Sequence, residues 1–134
     1  MDKQIIKDLC NQAVQAAKNA HAPYSDFPVG AALLTEAGKT YHGCNVESSS
    51  YGLTICAERN AIASAVVQGE KKFKAMAIYS NIGAAPCGAC RQVIWDICGD
   101  IDIYSIDNKG KVLVYTSAEL LPKPFDESQL KRDK

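Results

Sequence analysis

ICAERNAIASAVVQGEKKFKAMAIYSNIGAAPCGACRQVIWDIC, residues 55–98, carries the reading of the fold. From Cys56 to Gln68 helix formers predominate, apolar residues fall at 57, 61, 62, 65 and 66, and Gly69 stands at the expected C-cap. Phe73–Tyr79 then reads as a strand. A loop through Asn81, Gly83 and Pro86 leads into Cys87–Cys98, helical by the spacing of Val93, Ile94, Ile97 and Cys98 and stopped by Gly99. Pro86 sits where a helix start tolerates proline. Strand and helix alternating in this way predict right-handed crossovers in a sheet covered on both faces.

Working outward, Asp2 is placed to cap a helix over 3–20, where Ile5, Ile6, Leu9, Ala13, Ala16, Ala17 and Ala20 recur near helical spacing before Pro23. Val29–Thr35 and Thr40–Val46, joined by a turn containing Gly38, predict an antiparallel hairpin. Ile101–Ile106 and Lys111–Tyr115, joined by Asp107-Asn-Lys-Gly110, predict a second hairpin, after which Ser117 is placed to cap a short helix through Leu121. The order αββαβαββα defines the expected α/β fold: a three-layer α/β/α sandwich around a mixed five-stranded sheet. One domain over residues 1–134 is expected, with 126–134 a loosely held polar tail.

The 134 residues are 47% hydrophobic and 22% charged, which excludes disorder for most of the chain. Fifteen Lys+Arg against fifteen Asp+Glu give net charge +0 and no bulk electrostatic footprint for a nucleic-acid polymer or an anionic membrane. The N-terminal residues contain neither a signal-peptide core nor a membrane span, so a cytoplasmic location is expected. Six cysteines, at 10, 44, 56, 87, 90 and 98, then read as reduced thiols, some of them ligands, rather than as a disulfide set.

Cys87 and Cys90 form C-x-x-C at a helix start, with both sulfurs on one side of the first turn. A redox pair or two buried thiols would fit that motif alone. Cys56 at a second helix N-terminus changes the balance, because two helix ends, each favouring thiolate through its dipole, offer sulfur to a common point. Three thiolates resemble a catalytic zinc site with an open position for water more than a closed tetrahedron. His42 and Cys44 are the candidate fourth ligands, and structural roles are favoured for both. Cys10 and Cys98 read as small helix-face hydrophobes.

Glu58 lies in the first turn, where side chains tilt toward the N-terminus and so toward the same centre. A carboxylate there is placed as a proton shuttle, the plain alternative being a favourable first-turn acid. Zinc with three thiolates sums to about −1, which opposes acidifying a water. Arg59, three residues after Cys56, is placed to drain that charge, with Arg91 as a second candidate and a surface ion pair as the ordinary explanation of either.

With Cys56-Ala-Glu58 followed by Pro86-Cys87-Gly-Ala-Cys90, the chain resembles the zinc nucleoside deaminases, specifically the small, three-cysteine, homotetrameric cytidine deaminases. The resemblance runs from Ala22-Pro-Tyr-Ser-Asp-Phe-Pro-Val-Gly30 through Gly43-Cys-Asn-Val-Glu47 to Leu120-Leu-Pro122. It implies one Zn²⁺ per chain on Cys56, Cys87 and Cys90, with Glu58 moving protons while a zinc-bound hydroxide converts cytidine or 2′-deoxycytidine to the uracil nucleoside and ammonia, in pyrimidine salvage. By the same resemblance Asn45 and Glu47 bind the sugar hydroxyls, Phe27 packs beside the pyrimidine, and backbone groups around Ala57 and Cys87 read the base. Tyr51 and Phe125 are implied to reach a neighbouring subunit's pocket in a homotetramer. Ser48-Ser49-Ser50 and Asn60 depart from the usual family pattern, away from the zinc ligands and Glu58.

Three other functions draw on the same residues. An antibiotic aminopyrimidine nucleoside is the alternative within the fold, and Phe27, Asn45 and Glu47 favour the ordinary nucleoside. A zinc-stabilised scaffold closed by Cys44 is the alternative without turnover. Deamination of bases in RNA or DNA lacks the expected basic excess.

Overall fold

The computed structural model describes residues 1–130. Its elements follow the expected order: α1 (Lys3–Ala17), β1 (Gly30–Thr35), β2 (Thr40–Cys44), α2 (Ala57–Val67), β3 (Phe73–Tyr79), α3 (Gly88–Cys98), β4 (Asp102–Ile106), β5 (Val112–Thr116) and α4 (Ser117–Leu120). Short 3₁₀ turns occupy Tyr51–Leu53 and Glu127–Gln129. The sheet runs β2-β1-β3-β4-β5, with β3 and β4 parallel and the other three pairings antiparallel. It is therefore mixed and five-stranded, as expected.

Every residue of β1 is buried, because side chains alternate between two covered faces. Ala31 and Leu33 join the core under α2 and α3, with Ala61, Ile62, Met76 and Ile94. Ala32 and Leu34 point the other way, against Leu9, Cys10 and Ala13 of α1. Cys10 and Cys98 both pack against these cores, in the roles expected of them. Two glycines permit the close layering. A Cβ on Gly30 would lie 2.0 Å from the Ala13 carbonyl oxygen of α1, and one on Gly43 only 2.2 Å from the Ala57 carbonyl oxygen of α2. The first turn of α2 is thus seated directly on β2.

Several boundaries differ from expectation for local reasons. The first helix stops at Ala17 rather than 20, because the amides of Lys18, Asn19 and Ala20 turn to the carbonyls three residues back and tighten the chain. The strand expected over 40–46 ends at Cys44. Beyond it, Val46 bridges His21 on one side and Ile55 on the other. Thr116, not Ser117, caps α4: its Oγ1 accepts from the Glu119 amide at 3.2 Å, and Glu119 Oε1 accepts from the Thr116 amide at 3.0 Å. Ser117 is instead buried, accepting from the Ile101 amide at 3.1 Å. Within the expected tail, Asp126 is tied to α3: its carboxylate accepts from Trp95 Nε1 at 3.0 Å and also caps the Glu127–Gln129 turn. An indole N–H needs such a partner once its ring packs. Residues 131–134 of that tail lie outside the described residues.

Candidate active site

Two helix N-termini and the end of the first hairpin build the site. Cys56 is the N-cap of α2 and Cys87 the N-cap of α3, and Cys90 lies one turn into α3. The sulfurs of Cys56, Cys87 and Cys90 all lie within 4.8 Å of one another, a group able to hold a metal ion. His42 and Cys44 are not part of it. The His42 ring instead meets Gln12 Oε1 at 2.6 Å, and the Cys44 carbonyl accepts from Asn60 Nδ2 at 2.8 Å. The Cys56–Cys87 sulfur separation is 3.9 Å. Three soft donors at this spacing, with no fourth protein ligand joining them among the described residues, match a zinc centre that keeps one position for a non-protein ligand.

The sulfurs differ in their environments. The neighbouring Cys90 thiol and the Arg59 guanidinium lower the Cys56 pKa from the ordinary thiol value to about 5. Cys90 is raised, because it lies beside the more acidic Cys56 and is buried. Arg59 Nη2 lies 3.6 Å from Cys56 Sγ, the contact expected from its place one turn on. Its Nε is buried without a hydrogen-bond partner among the described residues. Arg91 does something else: Nε donates to the Pro86 carbonyl at 2.7 Å and Nη1 to that of Leu120 at 3.2 Å, stapling the Cys87 turn to α4. Among the described residues it forms neither the thiolate contact nor the surface ion pair considered for it.

Glu58 is only 4% exposed, and burial pushes its carboxyl above the usual range, assisted by the negative charge at Cys56. A cavity of about 290 Å³ opens beside these groups. Phe27, Val29 and Ala57 give it apolar lining, Asn45 and Glu47 polar lining, and Cys56, Glu58 and Cys87 the groups nearest the metal position. The lining carries two carboxylates and no Lys, Arg or His.

Backbone pairing builds the side of the cavity that carries Asn45 and Glu47. The His21 amide donates to the Asn45 carbonyl at 2.9 Å, and the Glu47 amide to the His21 carbonyl at 2.8 Å, so the segment after β2 lies against the chain leaving α1. Asn45 Oδ1 accepts from the Val29 amide at 2.9 Å, while its Nδ2 donates to the Phe27 carbonyl at 2.9 Å. Tyr51 does not line this cavity but an adjoining one of about 340 Å³ with Tyr24 and Glu47, its ring centroid 5.8 Å from that of Tyr24. Phe125 lies outside both and is largely exposed. Sequence reasoning missed Ser25, Thr54 and Ser80, which also line the main cavity. Only the Ser25 position carried a signal, inside the Pro23-Tyr-Ser-Asp-Phe-Pro28 turn.

A three-thiol metal group, a buried carboxylate and a small cavity lined by both define a metal-dependent hydrolytic deaminase on an α/β/α scaffold. The chain belongs to the cytidine and deoxycytidylate deaminase family: the model of that family's zinc-binding region matches residues 3–104. A cytidine deaminase of Sporosarcina psychrophila is 45% identical over 128 residues, covering 93% of this chain and 94% of that one. Among solved structures, a cytidine deaminase from Burkholderia pseudomallei superposes with a TM-score of 0.87 at 42% identity, over 93% of this chain and all of that one. A Mycobacterium tuberculosis cytidine deaminase does so with a TM-score of 0.78 at 37% identity, over 90% of this chain and 96% of that one. The sheet and helices expected from the sequence are thus those of the family, and zinc is its cofactor.

Proposed function

We infer that the protein hydrolyses cytidine and 2′-deoxycytidine to uridine and 2′-deoxyuridine with release of ammonia. The observation that carries this reading is that two of the three grouped sulfurs, Cys56 and Cys87, line one cavity together with buried Glu58, Asn45 and Glu47, while Cys90 completes the group behind them. Three thiolates from Cys56, Cys87 and Cys90 would hold Zn²⁺, which supplies an acidified water and a Lewis acid there.

Glu58 handles the protons. Buried and raised in pKa, it is suited to take a proton from the attacking water and give it to N3 of the pyrimidine as the C4–O bond forms. It then carries a proton to the exocyclic amino group, so that the C4–N bond breaks and ammonia leaves. Phe27 packs against the ring, backbone groups at Ala57 and Cys87 read its edge, and Asn45 and Glu47 bind sugar hydroxyls. A free nucleoside suits the cavity better than a nucleotide, because a phosphate on the sugar would meet the Glu47 carboxylate and, among the described lining residues, no Lys, Arg or His. Arg59 keeps the thiolates from pooling negative charge at the metal.

A homotetramer with shared pockets fits the exposed Tyr51 and Phe125, 74% and 57% accessible on one chain and suited to enter a neighbour's site. A cytoplasmic role in nucleoside salvage accords with six unpaired thiols. No described helix is long and apolar enough to cross a membrane.

The deciding experiment follows cytidine absorbance and ammonia release for wild type and Glu58→Ala, each assayed for zinc. Wild type is expected to turn over, and the variant to keep about one zinc per chain while losing at least a hundredfold in kcat. Zinc-loaded wild type inert toward both nucleosides would overturn the substrate assignment, and a fully active Glu58→Ala would overturn the proton shuttle.

A further inference from the structure

The loop over 22–29 does more than connect α1 to β1. It closes on itself through the Asp26 amide and the Ala22 carbonyl at 3.0 Å, with Asp26 in the left-handed region at φ 52°. Its atoms hold both Asn45 and Glu47. Glu47 Oε1 accepts from the amides of Tyr24 at 3.0 Å and Ser25 at 3.1 Å, and Oε2 accepts from Ser25 Oγ. Ser25 Oγ itself accepts from the Phe27 amide at 3.1 Å, which turns its hydroxyl hydrogen toward Glu47. Donation from Ser25 is also the main reason the Glu47 carboxyl lies below its ordinary pKa.

The acceptor count is informative. Two amides fill Oε1, and Ser25 takes one of the two lone pairs of Oε2. One acceptor site is left on Oε2. Asn45, occupied by the Val29 amide and the Phe27 carbonyl, keeps one N–H free. A hydroxyl can donate to the first and accept from the second.

Resting on the nucleoside reading above, we propose that Ser25 is a positioning residue for sugar recognition. It links the backbone of Phe27 to the Glu47 carboxylate and aims the one acceptor left on Oε2 at a sugar hydroxyl, and so sets selectivity for nucleosides that carry that hydroxyl. Without the Ser25 hydroxyl, Glu47 keeps its two backbone donors but is free to turn Oε2 toward water.

The test compares zinc-loaded wild type, Ser25→Ala and Ser25→Thr with cytidine, 2′-deoxycytidine and 2′,3′-dideoxycytidine. Ser25→Ala is expected to raise KM for the two substrates that carry a 3′-hydroxyl about tenfold, the loss for one hydrogen bond to a charged group, with kcat within about threefold. The dideoxynucleoside, which lacks the 2′- and 3′-hydroxyls and keeps only the 5′-hydroxyl, should be turned over with unchanged KM, and Ser25→Thr should restore most of the loss. An equal rise in KM for all three substrates, or a fall in kcat alone, would overturn the proposal as mere loss of packing. Carbon-13 titration of the Glu47 carboxyl is a second readout that needs no turnover. Its pKa should rise in Ser25→Ala, and an unchanged value would overturn the proposal even if the substrate reading itself had failed in wild type.

Discussion

Replacing Gly43 by alanine tests whether the seating of α2 on β2 sets the geometry of the site. The added Cβ would lie 2.2 Å from the Ala57 carbonyl oxygen and 2.4 Å from the Ala61 amide, both rigid backbone. Ordinary contact begins near 3.4 Å, so the first turn of α2 must retreat by about 1 Å or the strand must bend away. Overpacking of this kind costs about 2–3 kcal/mol. For a chain of this size that lowers Tm by roughly 6–12 °C. The same turn carries Cys56 and Glu58, and a displacement near 1 Å costs about a hundredfold in turnover. Thermal unfolding of the zinc-loaded protein and kcat on cytidine read the two effects. Gly52→Ala is the control, since its Cβ would meet nothing within 4 Å, and it should stay within about 0.5 kcal/mol of wild type. A Gly43→Ala protein with wild-type Tm and wild-type kcat would refute the claim that this close approach positions the catalytic turn.

Two further outcomes follow from the electrostatics. Arg59→Gln removes the guanidinium 3.6 Å from Cys56 Sγ, so the acid limb of the pH–rate profile should move up by roughly one unit with kcat reduced; unchanged zinc content together with an unchanged profile would show that Arg59 does not tune the metal. The Glu47 carboxyl is held below its unfolded value of about 4.5, chiefly by Ser25. Its folded pKa is depressed, so its contribution to stability is fully present above that value and is lost as pH falls through the folded value. The gap in urea midpoint between wild type and Ser25→Ala should therefore narrow below pH 4.5, and a gap constant from pH 7 to 3 would contradict this.

What the sequence made legible is what local chemistry dictates. Periodicity over 55–98 set out helix, strand and helix, and the cysteines stand at helix starts, where direction follows from one turn of backbone. Glu58 and Arg59 were readable for the same reason. The remainder depends on which distant segments touch. That Gly30 and Gly43 must lack side chains shows only once α1 and α2 lie on the sheet. Ser25 gains its partners from a residue 22 positions away, and Arg91 finds carbonyls rather than sulfur because α4 folds back over α3. Ser117 had the right residue type for a cap, but the register of β5 carried Thr116 to that position and buried Ser117 against Ile101.

Both helices that meet at the site begin on cysteine, a residue poorly suited to satisfy the free amides of a helix start. Cys56 caps nothing with its side chain, and the sulfur of Cys87 reaches the Cys90 amide only at 3.5 Å. Serine or aspartate would serve each helix better by about 1 kcal/mol. Selection for heat resistance alone, applied to metal-free protein with no demand for turnover, would therefore drift toward Ser or Asp at 56 and 87 and yield a sturdier, inert chain. The metal is what makes the two ill-suited residues worth keeping.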